Sequence, residues 1–430
     1  MNKSTFKSIN YLVLTCFFLM TLASCATNKK AIRIEKSEDS KYSFAQVEPS
    51  IYVNRQNPKQ IVAGTVLQDY YTSKNGGKSW KSTVINSPYG VNGDPVLMAD
   101  DKGRFYYFHL SNPSEDDKMD RIVCQATDDI DLPLKTVGHT PVNGMIHDKQ
   151  WVAYDENTQT IHMAWTQFDG YKSKAPLDSS IIVYSQSQDQ GETWSELTRV
   201  SKLAGNCLDD SETIEGVSLA VGAIGEIFIT YCLNQKIYFN KSTDNGVTWL
   251  EHDILVAEQP GGWSFDIPGI YRMNGFPSIA VDKNNGKIFI SWSDQRNGED
   301  NTDVWIASSS DYGKSWSLPK KVNDDEGSHQ QFMSAMRIDP ASGLIAVLFY
   351  DRRAHNDWHT DVYLAVSKDG GESFINTKVS DDAFLPSPSV FFGDYLGLDF
   401  YKETAYCMWP EMHNKKIALK FKKVNIKKLR

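Results

Sequence analysis

Six short polar clusters stand directly ahead of apolar, β-rich runs, and they hold much of the chain's reactive chemistry. They read Asp94-Pro95, His147-Asp148-Lys149-Gln150-Trp151, Glu212-Thr213-Ile214-Glu215, Tyr271-Arg272-Met273-Asn274-Gly275-Phe276, His329-Gln330-Gln331-Phe332 and Gly393-Asp394-Tyr395. A second set follows later apolar runs: Gln167 and Tyr171, Asp294-Gln295-Arg296, Asp351-Arg352-Arg353 with His355 and His359, and Glu411-Met412-His413. Brought together, these groups could remove a proton beside a carboxylate and expel an oxygen. Arg272 or Arg352 would neutralise the carboxylate, His147 or Lys149 would act as base, and Tyr395 would protonate the departing oxygen. Glu215 is a further catalytic candidate. Lys149 serves as a base near neutrality only if burial or neighbouring cations lower its pKa. His329, Asp94, Trp151 and Asp394 are read as substrate-binding. Loss of water instead of an alkoxide, a dehydration, would use the same groups.

What must position them is legible in a repeat. A phrase of Ser, any, Asp, any, Gly, any, Ser or Thr, aromatic occurs at Ser187–Trp194, Ser242–Trp249, Ser309–Trp316 and Ser367–Phe374. A softened copy with Asn75 in place of Asp runs from Ser73 to Trp80. Asp or Asn folds onto nearby backbone N–H groups, Gly takes the φ > 0 position, and the aromatic plugs between sheets. A β-rich run precedes each copy, as in Ile181–Tyr184 and Val304–Ala307, so the phrase joins the third and fourth strands of a repeated unit. Such a period marks a repeat architecture.

The phrase resembles the Asp-box (BNR) repeat of the sialidase-like β-propellers. That resemblance implies an all-β propeller of four-stranded antiparallel blades. Counting strands between the copies yields seven blades, with six as the alternative if the second, around Asp94–Ala99, Arg104–Phe108 and Arg121–Cys124, is not a true blade. Three strands after the last copy, Tyr395–Phe400, Ala405–Trp409 and Ile417–Phe421, need a fourth, which Ala31–Ile34 would supply and so close the ring. The repeated turns and the hairpins between strands one and two fall at one end. The polar clusters therefore gather at the other.

Sialidases of this fold carry an arginine in a Phe/Tyr-Arg-Ile-Pro phrase ahead of the first box. The corresponding stretch here, Val47-Glu48-Pro49-Ser50, has none, and the nearest likeness, Tyr271-Arg272-Met273, sits in a middle blade. The chain is also similar in architecture to seven-bladed propellers that degrade uronic-acid polysaccharides by β-elimination. The resemblances imply a carbohydrate-active enzyme for an anionic saccharide, a lyase or dehydratase being set ahead of a sialidase-like glycoside hydrolase. A non-catalytic glycan-binding propeller is the third reading. Asp294, Arg296 and Asp351 recur blade after blade, which points to structural Asp–Arg pairs.

Lys3 and Lys7, the apolar stretch Tyr11–Leu22 and Leu22-Ala23-Ser24-Cys25 form a lipoprotein signal over residues 1–24 with a lipobox. Cys25 is the expected lipidation site, residues 25–42 a tether, and 43–430 a single propeller domain. This predicts an exported monomer anchored to the outer membrane, periplasmic or surface-facing. With 45 Lys and Arg against 54 Asp and Glu, the net charge of −9 argues against a nucleic-acid partner. Cys124, Cys207, Cys232 and Cys407 show no metal spacing; they are read as buried thiols, a Cys207–Cys232 bridge being the alternative. No cofactor is expected, although Glu299-Asp300-Asn301 and Asp303 offer oxygens of the kind Ca²⁺ takes.

Overall fold

A computed structural model describes residues 30–41, 46–114, 116 and 118–429. The signal segment 1–24 and Cys25 lie outside them.

Seven four-stranded antiparallel sheets form the ring. Blade 1 is built from Ser50–Val53, Ile61–Thr65, Asp69–Ser73 and Lys81–Val84, and blade 2 from Gly93–Ala99, Phe105–Leu110, Ile122–Thr127 and Lys135–His139. The second blade is therefore complete, and the six-bladed alternative falls. Blades 3 and 4 start with Ile146–Asp155 and Glu215–Val221, and blades 5 and 6 with Ser278–Asp282 and Gln331–Ile338. In blade 7, Gly397–Tyr401, Thr404–His413 and Lys416–Asn425 pair in turn, and Ile32–Ile34 adds the outermost strand opposite Leu419–Phe421. The ring is thus latched by strands from both ends of the chain. The latch also moves the start of the propeller to Ile32, inside the stretch read as tether. A two-stranded ribbon, Ser264–Phe265 with Met273–Asn274, is inserted between blades 4 and 5.

Each middle strand is squeezed between neighbouring blades and so reads as a nearly unbroken buried run, as in Phe105–Leu110 and Ile227–Leu233. The turn aromatics supply the contact between blades. Trp194 meets Phe108, Trp249 meets Tyr184, Trp316 meets Phe239, and Trp80 meets Phe421 across the closure, with ring centroids 5.0–6.1 Å apart. Inside one turn, Thr248 N donates to Asp244 Oδ1 at 2.8 Å and Gly246 N to Ser242 Oγ at 2.9 Å. Gly246, at φ +83°, lets the turn lie on Tyr184; a Cβ there would stand 2.4 Å from the ring. All four described cysteines are buried and free, which removes the Cys207–Cys232 bridge.

Candidate functional site

The first strand of a blade lines the central channel, and at its upper end the chain repeatedly breaks register. Shifts occur between Gly93 and Val96, Asp148 and Trp151, Glu215 and Ser218, and Phe332 and Ala335. Within them Asp94, Lys149 and Met333 take left-handed backbone at φ 52–55°, and Glu48 does the same at φ 54° ahead of blade 1. Such conformations cost non-glycine residues about 1–3 kcal/mol each and persist where the fold over-determines them. A bulge re-aims a side chain. Here the bulges at Asp94 and Lys149, with the left-handed residue Glu48 ahead of blade 1, turn polar residues of three consecutive blades toward one another. Lys149 Nζ lies 3.7 Å from Glu48 Oε1, 3.7 Å from Asp94 Oδ2 and 2.6 Å from Asp394 Oδ2.

Arg272, carried in by the inserted ribbon, completes the hub. Its Nε donates to Asp394 Oδ1 at 3.0 Å, its Nη2 grips Asp394 Oδ2, and its Nη1 is 3.5 Å from Asp209 Oδ2. Asp209 also accepts a hydrogen bond from Tyr171 Oη at 2.9 Å. Glu215 is buried and accepts from Thr166 Oγ1 at 3.2 Å and from Gly216 N at 3.1 Å. Six carboxyl groups (Glu48, Asp94, Asp148, Asp209, Glu215 and Asp394) thus share three cations, Lys149, Arg272 and the exposed Lys172, whose Nζ lies 3.6 Å from Asp209 Oδ2.

That imbalance sorts their protons. Burial alone would push Asp394 up, but the Lys149 ammonium and the Arg272 guanidinium more than reverse it and hold the carboxyl at about 2. Asp148 has no such partner: burial first, then the charges of Asp94 and Asp209, push it up to about 8 against the pull of Lys149. Glu215 is raised by burial and by Asp148, and Glu48 by burial that Lys149 only partly offsets. Lys149 moves the other way from the expectation for a base. Burial disfavours its charge, yet Asp394, Asp94 and Glu48 outweigh this and hold the ammonium well above its ordinary range.

Of the ten residues singled out as catalytic or substrate-binding, Lys149, Asp94, Asp394, Arg272, Glu215 and Tyr395 come together here. Trp151 faces the channel cavity beside them. His147, His329 and Arg352 do not join. The His147 ring is fully buried 5.2 Å from the Trp165 ring, with Nε2 3.3 Å from Asn143 Oδ1, and burial drops its pKa to about 4. Arg352 is buried too, over the Phe332 ring and donating to Thr360 Oγ1 at 3.1 Å. Its neighbour Arg353 takes Asp351 instead, at 2.7 Å. His329 is half-buried in a loop, its ring beside Gly327.

The repeated Asp–Arg phrases form pairs: Asp294 holds Arg296 at 2.5 Å and accepts from Trp292 Nε1 at 2.7 Å. Asp303 is occupied by Asn297 and Asn323, each at 2.7 Å, and among the described residues no group of His, Cys, Asp or Glu is arranged to hold a metal.

Glu48, Asp148 and Asp209 were not singled out by sequence reasoning. Asp148 lies inside a quoted cluster, and Glu48 occupies the position ahead of blade 1 that Asp94 occupies in blade 2. The rule that found Asp94 would therefore have found it. Asp209 sits in an irregular loop without such a signal.

Beside the hub, a partly open cavity lies within the channel. Asp94, Lys149, Asp394 and Tyr395 line one end, and Trp151 and Arg337 lie farther along their strands. The Tyr395 phenol has no partner among the described residues, and burial raises its pKa well above the ordinary value, so it stands as a neutral donor. The Lys149 ammonium lies 5.2 Å from the centre of its ring.

No protein-family model and no curated protein matches the chain. Solved structures do. A PL25 ulvan lyase aligns with a TM-score of 0.54 at 12% identity, covering 92% of this chain and 96% of its own. The α-L-arabinanase of Penicillium chrysogenum aligns at 0.52 and 12%, covering 94% and 99%. The GH93 α-L-arabinofuranosidase of Fusarium graminearum aligns at 0.53 and 10%, covering 93% and 98%. The likeness is one of fold.

Proposed function

We propose that the chain is a carbohydrate-active enzyme that hydrolyses a glycosidic bond at the channel mouth. Asp148 is the general acid and Asp94 the carboxylate that activates water or attacks the sugar. The observation that carries this reading is the acid-rich hub, in which Lys149 Nζ lies 3.7 Å from Asp94 Oδ2 and 2.6 Å from Asp394 Oδ2, while Asp148, beside Lys149 in the chain, is raised by burial and by the charge of Asp94. Glycoside cleavage needs such a division of labour between two carboxyl groups. Fold neighbours that include a polysaccharide lyase, an arabinanase and an arabinofuranosidase support carbohydrate chemistry without choosing between the two reactions.

Elimination is less well served. Its base would be His147, which is buried against Trp165, or Lys149, whose ammonium three carboxylates stabilise. Its carboxylate-binding cation, Arg272, already spends Nε and Nη2 on Asp394. One observation keeps elimination as a second reading: the Tyr395 phenol at the cavity, a neutral hydroxyl without a partner among the described residues.

Incubating the purified protein with arabinan, and with uronate oligosaccharides, separates the two. New reducing ends without unsaturated-uronate absorbance support hydrolysis. That absorbance appearing with the uronates would overturn it in favour of elimination. Binding without turnover on either would leave a glycan-binding propeller. We also propose that the protein is exported as a monomer and lipid-anchored through Cys25. Fatty-acid labelling in cells should disappear in Cys25→Ser, and labelling that survives this change refutes the anchor.

A further inference from the structure

The cavity holds a cluster of polar groups that the hub does not use. Both side-chain polar atoms of Asn274, Gln150 Oε1, Ser334 Oγ and Tyr395 Oη are buried without a partner among the described residues, and all five belong to residues lining this one space. Buried polar groups are nearly always satisfied, so several orphans around one cavity mark it as built for a polar guest. Asn274 is 2% exposed.

Arg337 gives that guest a charge. Its guanidinium lies 5.3 Å from the centre of the Trp151 ring, and Nη1 donates to the Met336 carbonyl at 2.8 Å. Among the described residues no carboxylate forms an ion pair with it. Asp399, the acid nearest in influence, is already gripped by Arg55 through Nη1 at 3.0 Å and Nη2 at 2.6 Å. A guanidinium at the wall of this space with donors to spare is a site for a planar oxyanion, which it can hold bidentately.

We infer that this cavity binds a sugar unit bearing an acidic substituent, with Arg337 on the substituent's oxygens and Asn274, Gln150, Ser334 and Tyr395 on its hydroxyls. The inference rests on reading the cavity as a glycan site. It assigns the acidic group to Arg337 instead of Arg272 or Arg352. The polarity of the space also orients the guest. Arg337 is the cation of the space without an ion-pair partner among the described residues, whereas Lys149 at the other end is already held by Asp394, so the acidic end is directed toward Arg337 and the linkage left at Asp94.

Calorimetric titration of the full chain with digalacturonate and with its methyl ester tests this. The free acid should bind about tenfold or more tightly than the ester, the worth of one charge-assisted pair. Arg337→Gln should erase that preference while keeping ester affinity and the wild-type unfolding midpoint. Asn274→Ala should weaken both probes alike. Equal binding of acid and ester by the wild type, or a preference that survives Arg337→Gln, overturns the inference while leaving glycan cleavage standing. Failure of either probe to bind, with arabinan still cleaved, overturns the inference alone. No saccharide bound or cleaved at all removes both readings.

Discussion

The two ends of the ring use the same side chain in opposite ways. At the lower end Asp244, Asp311 and Asp369 accept hydrogen bonds from the hydroxyl and backbone N–H of a Ser or Thr four residues on, and these hold their carboxyls below the ordinary range. At the upper end Asp148 and Glu215 are raised by burial among other carboxyl groups. A carboxylate with dedicated local donors is a structural clasp. One with too few cations keeps its proton and is available for chemistry. The lower end repeats because each turn solves the same packing problem. The upper end does not, because its bulges place different residues at the same point of each blade.

The largest expected effect breaks the upper end alone. Asp148→Asn should cut kcat by about 10²–10⁴-fold, the usual worth of a positioned general acid, without lowering stability. Asp148 is raised from its ordinary value, so its protonated form favours the folded state. That contribution is full at low pH and is lost as pH climbs from the ordinary carboxylate value toward about 8. Wild-type kcat should likewise fall as pH passes about 8. A rate that rises through that pH would make Asp148 a base and reverse the assignment.

Next comes Lys149→Met. It strips the one cation that touches Glu48, Asp94 and Asp394 together and leaves their charges buried. Breaking a buried ion network in this way costs about 3–5 kcal/mol, measurable by urea unfolding. A loss below about 1 kcal/mol, no more than an exposed pair is worth, would mean that the hub is solvated and its proton sorting weak.

How much of this was legible follows from how local each signal is. The repeated turns lie within eight residues each, so their copies expose them directly, and the aromatic at the end of each names the contact between blades. Even the closing strand Ile32–Ile34 was readable, because three strands at the C-terminus needed a fourth. The hub was half legible. Topology alone brought Lys149, Asp94, Asp394 and Tyr395 to one end, but alternation along a strand says nothing of the bulge that sends Lys149 inward and leaves His147 against Trp165. Arg352 and Arg353 look interchangeable in sequence. Only the turn that follows the strand decides that Arg353 meets Asp351 while Arg352 is buried.

A smaller effect should come from the lower end. Gly246→Ala puts a Cβ 2.4 Å from the Tyr184 ring at a backbone φ of +83°. It should destabilise by about 1–3 kcal/mol with kcat unchanged. A fall in kcat at full occupancy of the folded state would show that the two ends are coupled, against the division drawn above.

The smallest effect is the most telling about why the turns tolerate variation. In the first copy Asn75 stands where the others have Asp, and Ser79 N still donates to its Oδ1 at 3.0 Å while its Nδ2 donates to Ser79 Oγ at 2.8 Å. An amide therefore reproduces the clasp by reversing one donor. Asp244→Asn should accordingly cost far less than Lys149→Met. Asp244 has a depressed folded-state pKa, so its charge contributes fully above the ordinary carboxylate range and ceases to as pH falls through it. The gap between wild type and variant should then be widest at neutral pH and close under acid. A gap that persists in acid would mean that the geometry of the acceptor oxygens, and not the charge, holds the turn, and the electrostatic contrast between the two ends would lose its lower half.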